Sequence, residues 1–355
     1  MAEWAKFAGV NSITFNQKFK TDQDCLEYLS SLKWEGGYRC RKCENDKYCR
    51  GKKPHNRRCT KCRYEESPTA ATMFDKVKFS LLKAFHIVFK ISTKKKGMSS
   101  LELSHEFELR QKTCWEFKWK VQQAMASSLQ YPLEGTIHVD EFMIGGPEEQ
   151  KRGRSKGSKK LSVVALEVLG HGVGRAYAEV IAHASSQELG KFLKKYVSRD
   201  ARVISDEWRG YTPLKAYFKK LEQVSSDDGK NFKDIHIHIM NIKGWLRGIH
   251  HHCSEERMQG YLNEYHFRYN RRQAMGSTFD LLLRRMIKND PVRLFQTNWV
   301  WSKRLYLKIK FNNKKNALLK DLHFKKNLLW SPEYLTGWYQ SLYWNRVDLF
   351  KTNNL

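Results

Sequence analysis

Four cysteines and two aspartates carry the residue patterns most able to do chemistry. Cys40 and Cys43 form one CxxC pair and Cys59 and Cys62 a second, with fifteen residues between the pairs. A CxxC turn brings two thiolates to one side, and two such turns complete a tetrahedron around Zn2+. Four protein ligands leave no open coordination position, so the ion's role is to fold the head of the chain. The flanking residues are basic: Arg39, Arg41, Lys42, Arg57, Arg58, Lys61 and Arg63. Cys25, Cys49, Cys114 and Cys253 fit no ligand spacing. The aspartates are Asp140 and Asp206, each at the end of a β-branched run, TIHVD and RVISD. Two strands delivering carboxylates to one end of a sheet suit two-metal phosphoryl transfer, because hard oxygens hold Mg2+ or Mn2+. An Asp at a strand end also caps turns, and that simpler role stands beside the metal role.

The elements that must position these residues follow from periodicity. Apolar residues recur on one helical stripe over 78–90. Ser99 and Ser100 read as the cap of a short helix through Phe107, and a second helix runs over 112–128. The two helices make a helix-turn-helix-like hairpin in which Lys112, Thr113, Lys118 and Lys120 face DNA and Trp115, Phe117, Trp119 and Val121 pack; an ordinary helical hairpin is the alternative. Beyond Pro132 the texture becomes strand-like, with runs at 136–141, 161–169, 174–181 and 202–206. A basic, Gly-rich loop at 145–160 suits phosphate contact or plain solvation. Residues 261–272 have helical spacing with Tyr261, Leu262, Tyr265 and Phe267 inward, and Arg268, Arg271 and Arg272 toward phosphate or solvent. The run His250-His251-His252-Cys253 reads as a DNA-facing or structural turn, since consecutive side chains diverge.

Bulk properties narrow the partner. The 355 residues carry 65 Lys and Arg against 37 Asp and Glu, a net charge of +28. So basic a globular chain expects a polyanion, and double-stranded DNA is the expected partner. No run of about 18 apolar residues and no secretory leader is visible, so the expected location is the cytoplasm with reduced thiols, and no membrane partner is expected.

The segments CLEYLSSLKW, KCRYEESPTAATMF, STKKKGMSS, IHVDEFMIGG, SDEWRGY, NIKGWLRGIHHHCS and YLNEYHFRYNRR occur in this order over residues 15–272, about three quarters of the chain. In them the chain resembles the bacterial insertion-sequence transposases in which a zinc ribbon precedes a DDE-type catalytic domain of ribonuclease H-like fold. The resemblance implies binding to the terminal inverted repeats of a mobile element, metal-dependent strand cleavage and strand transfer, and a homo-oligomer that synapses two DNA ends. It implies Asp140 and Asp206 as the first two catalytic metal ligands. Its third position falls on His236, seven residues before Lys243, where a carboxylate, an Asn or in some branches a His stands. On a helix, residues seven apart share a face, so His236 would look toward metal and Lys243 toward a phosphate. The alternating IHIHIM pattern also allows a strand, which makes His238 a competitor. Imidazole prefers softer metals than Mg2+, so His236 points toward Mn2+.

The expected fold is therefore α+β or α/β and multidomain. It comprises a zinc ribbon over 15–68, a helical DNA-binding segment over 74–130, a ribonuclease H-like mixed sheet flanked by helices over 133–290, and a basic aromatic extension over 291–355. That extension is a DNA-binding segment, a lineage-specific addition or read-through. Two competing functions stand beside the transposase: a catalytically decayed relative acting only as a zinc-ribbon DNA-binding protein or regulator, and a nuclease that cuts without joining. The host decides between nucleoid and nucleus as the place of action.

Overall fold

The computed structural model describes residues 5–145, 159–250 and 253–291. The described residues cluster as one compact unit. The basic loop at 146–158, His251, His252 and the tail from 292 onward, all read above, lie outside the described residues.

The chain begins with α1 (Ser12–Lys18) and α2 (Asp22–Lys33). Thr21 and Asp24 form a reciprocal capping box that fixes the start of α2. A small antiparallel sheet follows, β1 (Tyr48–Arg50), β2 (Arg57–Cys59) and β3 (Glu65–Glu66), in that order. Three helices come next: α3 (Leu81–Thr93), α4 (Ser100–Phe107) and α5 (Gln111–Ala124). Ser99 caps α4 with Glu102 closing the box, as the sequence predicts, and Glu108 ends it in the left-handed region at φ 51°.

The large sheet contains β4 (Thr136–Ile144), β5 (Lys160–Val168), β6 (Val173–Ile181), β7 (Arg202–Ser205) and β8 (Leu221–Gln223), with α6 (Ser186–Tyr196) between β6 and β7. Strand order is β6-β5-β4-β7-β8. β4, β5 and β6 are antiparallel neighbours, whereas β7 pairs parallel to β4 and β8 parallel to β7. After it come α7 (Lys233–Ile249), α8 (Glu255–Tyr269) and α9 (Thr278–Lys288). The expected ribbon, helices and mixed sheet flanked by helices are all present.

Alternation along β4 divides its side chains between two cores. Ile137 and Val139 join Leu189, Phe192 and Leu193 of α6 on one face, while Phe142 joins Ile235, Ile239 and Ile242 of α7 on the other. A third core is helical, and α9 completes it: Phe279 packs edge-on against Phe7 and Phe15 at 5.5 and 5.3 Å. The predicted helix over 78–90 starts later, at Leu81, with Ser80 as its cap.

Two expectations for cationic side chains are corrected. Lys118 does not face DNA; it is 3% exposed and pairs with the fully buried Glu264 of α8 at 3.2 Å. Arg268 does not face phosphate or solvent either; it is buried and holds Glu264 at 2.7 Å. Both errors have one cause. The buried carboxylate of Glu264, distant in sequence from Lys118 but one turn from Arg268 on α8, recruits two cations that apolar spacing alone assigns to the surface. Trp115, expected to pack, is 38% exposed, with the Arg257 guanidinium 3.9 Å from its ring centre.

Candidate active site and zinc ribbon

The two CxxC turns of the head are built alike. Glu44 and Arg63, each following the second cysteine of its pair, adopt left-handed backbone at φ 59° and 63°. Their N–H groups donate to Cys40 and Cys59 carbonyls at 2.8 and 3.1 Å, which curls each turn around its thiols. Sγ atoms of Cys40 and Cys62 lie 3.5 Å apart, those of Cys43 and Cys59 3.6 Å. Tetrahedral zinc at 2.3 Å from sulfur requires an edge of about 3.8 Å, so the four thiols fit Zn2+. Among the described residues they are the one group of three or more potential ligands with donor atoms within 4.8 Å of one another. Burial opposes ionisation of Cys59, but N–H groups of Cys62 and Lys61 outweigh it and bring the thiol down to about 6. Cys49 is exposed and stands outside this group.

At the large sheet, Val139 of β4 pairs with Ser205 of β7. Asp206 therefore follows the last residue of β7, whereas Asp140 lies level with it but inside β4, paired with Val164 of β5, so the expected strand end at Asp140 is corrected. β4 runs on to Ile144 against β5 while β7 stops, so the sheet splits where the two carboxylates stand. Open α/β sheets bind ligands at such a point, beyond the C-terminal ends of their strands. Asp206 also takes the simpler role foreseen for it, since Oδ1 accepts the Trp208 N–H at 3.1 Å. The Trp208 indole in turn donates to the Ala184 carbonyl at 2.8 Å, and Gln223 ties down the Trp208 carbonyl at 2.9 Å.

Helix α7 runs across the face of β4 that presents Asp140. The segment IHIHIM is helical, not extended, so the period-two reading of it is corrected. Its alternation of Ile and His does not mark a half-buried strand here, because α7 is covered on two sides. Ile235, Ile239 and Ile242 meet the sheet, and His238 meets α8. His236 Nε2 lies 3.3 Å from Asp140 Oδ2 and is partly open to solvent. Lys243, two turns on, is partly buried, and its Nζ sits 5.9 Å from the centre of the Phe142 ring. Burial lowers the Lys243 pKa, while the negative charge of Asp140 acts the other way.

His238 has different company. Nδ1 of His266 donates to the Leu262 carbonyl at 2.7 Å, which leaves Nε2 of His266 an acceptor for the His238 Nε2–H at 3.2 Å. The pair is buried, and His238 is committed to α8. Asp140, Asp206, His236 and Lys243 thus converge on one end of the sheet, whereas His238 does not join them.

An open groove of about 770 Å3 lies against Asp140 and Glu141, walled by Met143, Leu161, His183 and Trp208. His183 and Ser185 had no local signal; they reach the groove because β6 ends beside β5 there. Glu141 points to the opposite face from Asp140, where the buried Tyr211 carries its hydroxyl. Burial, with Glu141, Asp140 and Asp206 nearby, raises the Tyr211 pKa. The sequence run SDEWRGY already placed Trp208 and Tyr211 next to Asp206, and that adjacency was the available sign.

Two families match the chain. Residues 20–65 match the transposase zinc-ribbon domain, and residues 132–270 match the ISXO2-like transposase domain. No curated protein matches. The first match spans the two cysteine knuckles and the second spans Asp140, Asp206, His236 and Lys243. With the ribbon ahead of a mixed sheet flanked by helices, the chain belongs to the zinc-ribbon transposases that carry an ISXO2-like transposase domain.

Proposed function

We propose that this transposase binds the terminal inverted repeats of its element and catalyses metal-dependent cleavage and transfer of DNA strands. The observation that carries the proposal is the placing of Asp140, within β4, level with Asp206, at the end of the adjacent parallel β7, with His236 and Lys243 of one helix beside Asp140. Two carboxylates offer hard oxygens, and the groove beside Asp140 is open enough for water-rich ions, so the donor set fits Mg2+ or Mn2+. Asp140, Asp206 and His236 would hold the ions, which when bound polarise the scissile phosphate and favour an ionised attacking oxygen. His236 orients Asp140 and keeps one carboxylate oxygen directed at α7. Lys243, beside the same carboxylate, supplies a positive charge for a strand phosphate. The basic ribbon and the net charge of +28 supply sequence-independent attraction to DNA. A dimer or larger assembly synapses the two ends, in the cytoplasm of a bacterial host or the nucleus of a eukaryotic one.

A second reading, DNA binding without cleavage, is favoured by one observation: a histidine stands where a third carboxylate would. Strand joining on element-end duplexes with Mg2+ or Mn2+ separates the two. Asp140→Asn and Asp206→Asn should each lower joining by on the order of a thousandfold with duplex binding retained. Full joining by either variant removes that residue from the site. Repeat-specific binding by the unsubstituted chain with no joining in either metal supports the second reading.

A further inference from the structure

A cavity of about 250 Å3 lies where the end of α5, α8, α9 and the edge strand β6 meet, and none of its lining residues borders the groove at Asp140. Three arginines reach it. Arg175 is neutralised there, with its Nη2 2.6 Å from Glu167 and further bonds to the Tyr131 and Pro132 carbonyls. Arg271 and Arg285 are not. They flank one ring, with guanidinium carbons 4.2 and 5.5 Å from the centre of Phe267. Arg271 donates from Nη1 to the Phe267 carbonyl at 3.1 Å, and Arg285 donates from Nη1 to the Ala126 carbonyl at 2.7 Å and the Ala124 carbonyl at 3.5 Å. Among the described residues no carboxylate pairs with either one. Each guanidinium has five N–H donors, so Nε and Nη2 of both remain for a ligand. Ser127 and Ser128 add hydroxyls to the wall.

Two partly buried cations beside one ring repel each other, and a bound anion would relieve a cost that the Phe267 ring and backbone carbonyls offset only in part. From this arrangement we infer that the cavity is a phosphate-binding site, with Arg271 and Arg285 as its forked donors and the serine hydroxyls completing the shell. Guanidinium forks match phosphate oxygens two at a time, and two charges match a phosphate group better than a single carboxylate. Burial and the Arg285 charge bring Arg271 down to about 10, in keeping with an uncompensated pair. The phosphate belongs either to a DNA strand crossing the junction of the helical core and the sheet or to a free phosphate compound. The inference does not depend on Asp140 or Asp206 being catalytic.

The test uses the full zinc-loaded chain. Thermal unfolding is followed while chloride is replaced by phosphate or pyrophosphate at constant ionic strength, and duplex binding is followed against salt. At tenfold its Kd, phosphate should raise the Tm by about 3 °C. Arg271→Gln and Arg285→Gln should abolish that rise, and without phosphate should be no less stable than the parent, since each removes one repelling charge. If the salt slope of duplex binding also falls by about 0.9 per variant, the phosphate is a strand phosphate; an unchanged slope with phosphate stabilisation makes it a free compound. A lower slope without stabilisation by free phosphate again supports the strand. If phosphate stabilises neither chain and the slopes agree, or if both variants respond as the parent does, the site is refuted. Should the Gln variants not fold, Arg285→Lys keeps the charge but loses the fork, and must weaken the same responses.

Discussion

His236 is the residue at which chemistry and sequence are in tension, because nitrogen replaces oxygen beside Asp140. An imidazole ligand shifts a site toward softer divalent ions. His236→Glu should therefore raise Mg2+-supported joining relative to Mn2+-supported joining by about tenfold, the scale on which ligand and outer-sphere changes move metal sites. Joining rates measured in each ion give the ratio, and an unchanged ratio would mean that His236 does not meet the metal. His238 and His266 make a different prediction, on stability. Burial pushes the pKa of both below that of a free imidazole, His266 to about 4. The unfolded chain takes these protons below about pH 6.5, so the stability tied to their neutral forms is complete above that pH. It is lost as pH falls toward 4. For His266 alone the loss between pH 7.5 and 5 is about 2 kcal/mol. Urea titrations at the two pH values should show it, and His266→Gln should remove that part of the acid sensitivity. Equal sensitivity in parent and variant would show that His266 is protonated in the folded chain.

At the scale of elements, the carboxylate of Glu264 locks α8 to α5 and to the loop before α4. It meets Lys118, Gln122 and Arg268, with Gln122 Nε2 at 2.7 Å. Burial opposes its charge, but Lys118 and Arg268 outweigh burial and bring its pKa to about 2. Gly97 passes over this cluster at φ 72°, where a Cβ would come within 2.8 Å of Glu264 Oε1. That contact gives the glycine of STKKKGMSS a physical reason. Glu264→Gln leaves two buried cations without their counter-charge and should cost about 3–5 kcal/mol. Gly97→Ala adds backbone strain and a clash and should cost about 1–3 kcal/mol. Denaturant midpoints measure both, and a neutral Glu264→Gln would mean that water already screens the pair. The pairing of Lys118 with Glu264 was not legible beforehand, since only the tertiary fold joins them, whereas Glu264 and Arg268 stand one turn apart on α8. By contrast, β4 and the start of α4 were legible, because TIHVD is a β-branched run and Ser99 with Ser100 reads as a helix cap. Asp140 and Asp206 were found because each follows a β-branched run, although β4 continues past Asp140 to Ile144. The IHIHIM segment misled because isoleucine and histidine share a helix whose two sides are both covered.

Across the whole molecule, the three larger cores and the ribbon rest on different physics. The helical core gathers phenylalanines from both ends of the described chain, and the two sheet faces bury aliphatic side chains from α6 and α7. The ribbon has almost no core of its own: Trp34 and Tyr38 are its buried aromatics, and the other buried positions are Cys40 and Cys59. Metal–thiolate bonds therefore take the place of apolar burial there, and the ribbon's folding is bound to zinc. The link from the ribbon to the rest is short. Lys33 at the end of α2 holds Glu66 at 2.7 Å and also bonds the Ser67 and Ala70 carbonyls, so α2 is tied to the strand that closes the ribbon. Stripping zinc with a chelator should accordingly unfold 40–66 while leaving the helical and sheet cores intact. Limited proteolysis would then cut within the ribbon, with little loss of helical circular dichroism. Binding to terminal-repeat duplex should fall to the level set by charge alone, and added zinc should restore it. The remaining affinity should weaken steeply with salt, as expected when phosphate neutralisation rather than shape supplies it. Unchanged proteolysis and unchanged repeat binding after zinc removal would mean that the four cysteines fold the head without metal, against the 3.5 and 3.6 Å sulfur spacings that zinc explains.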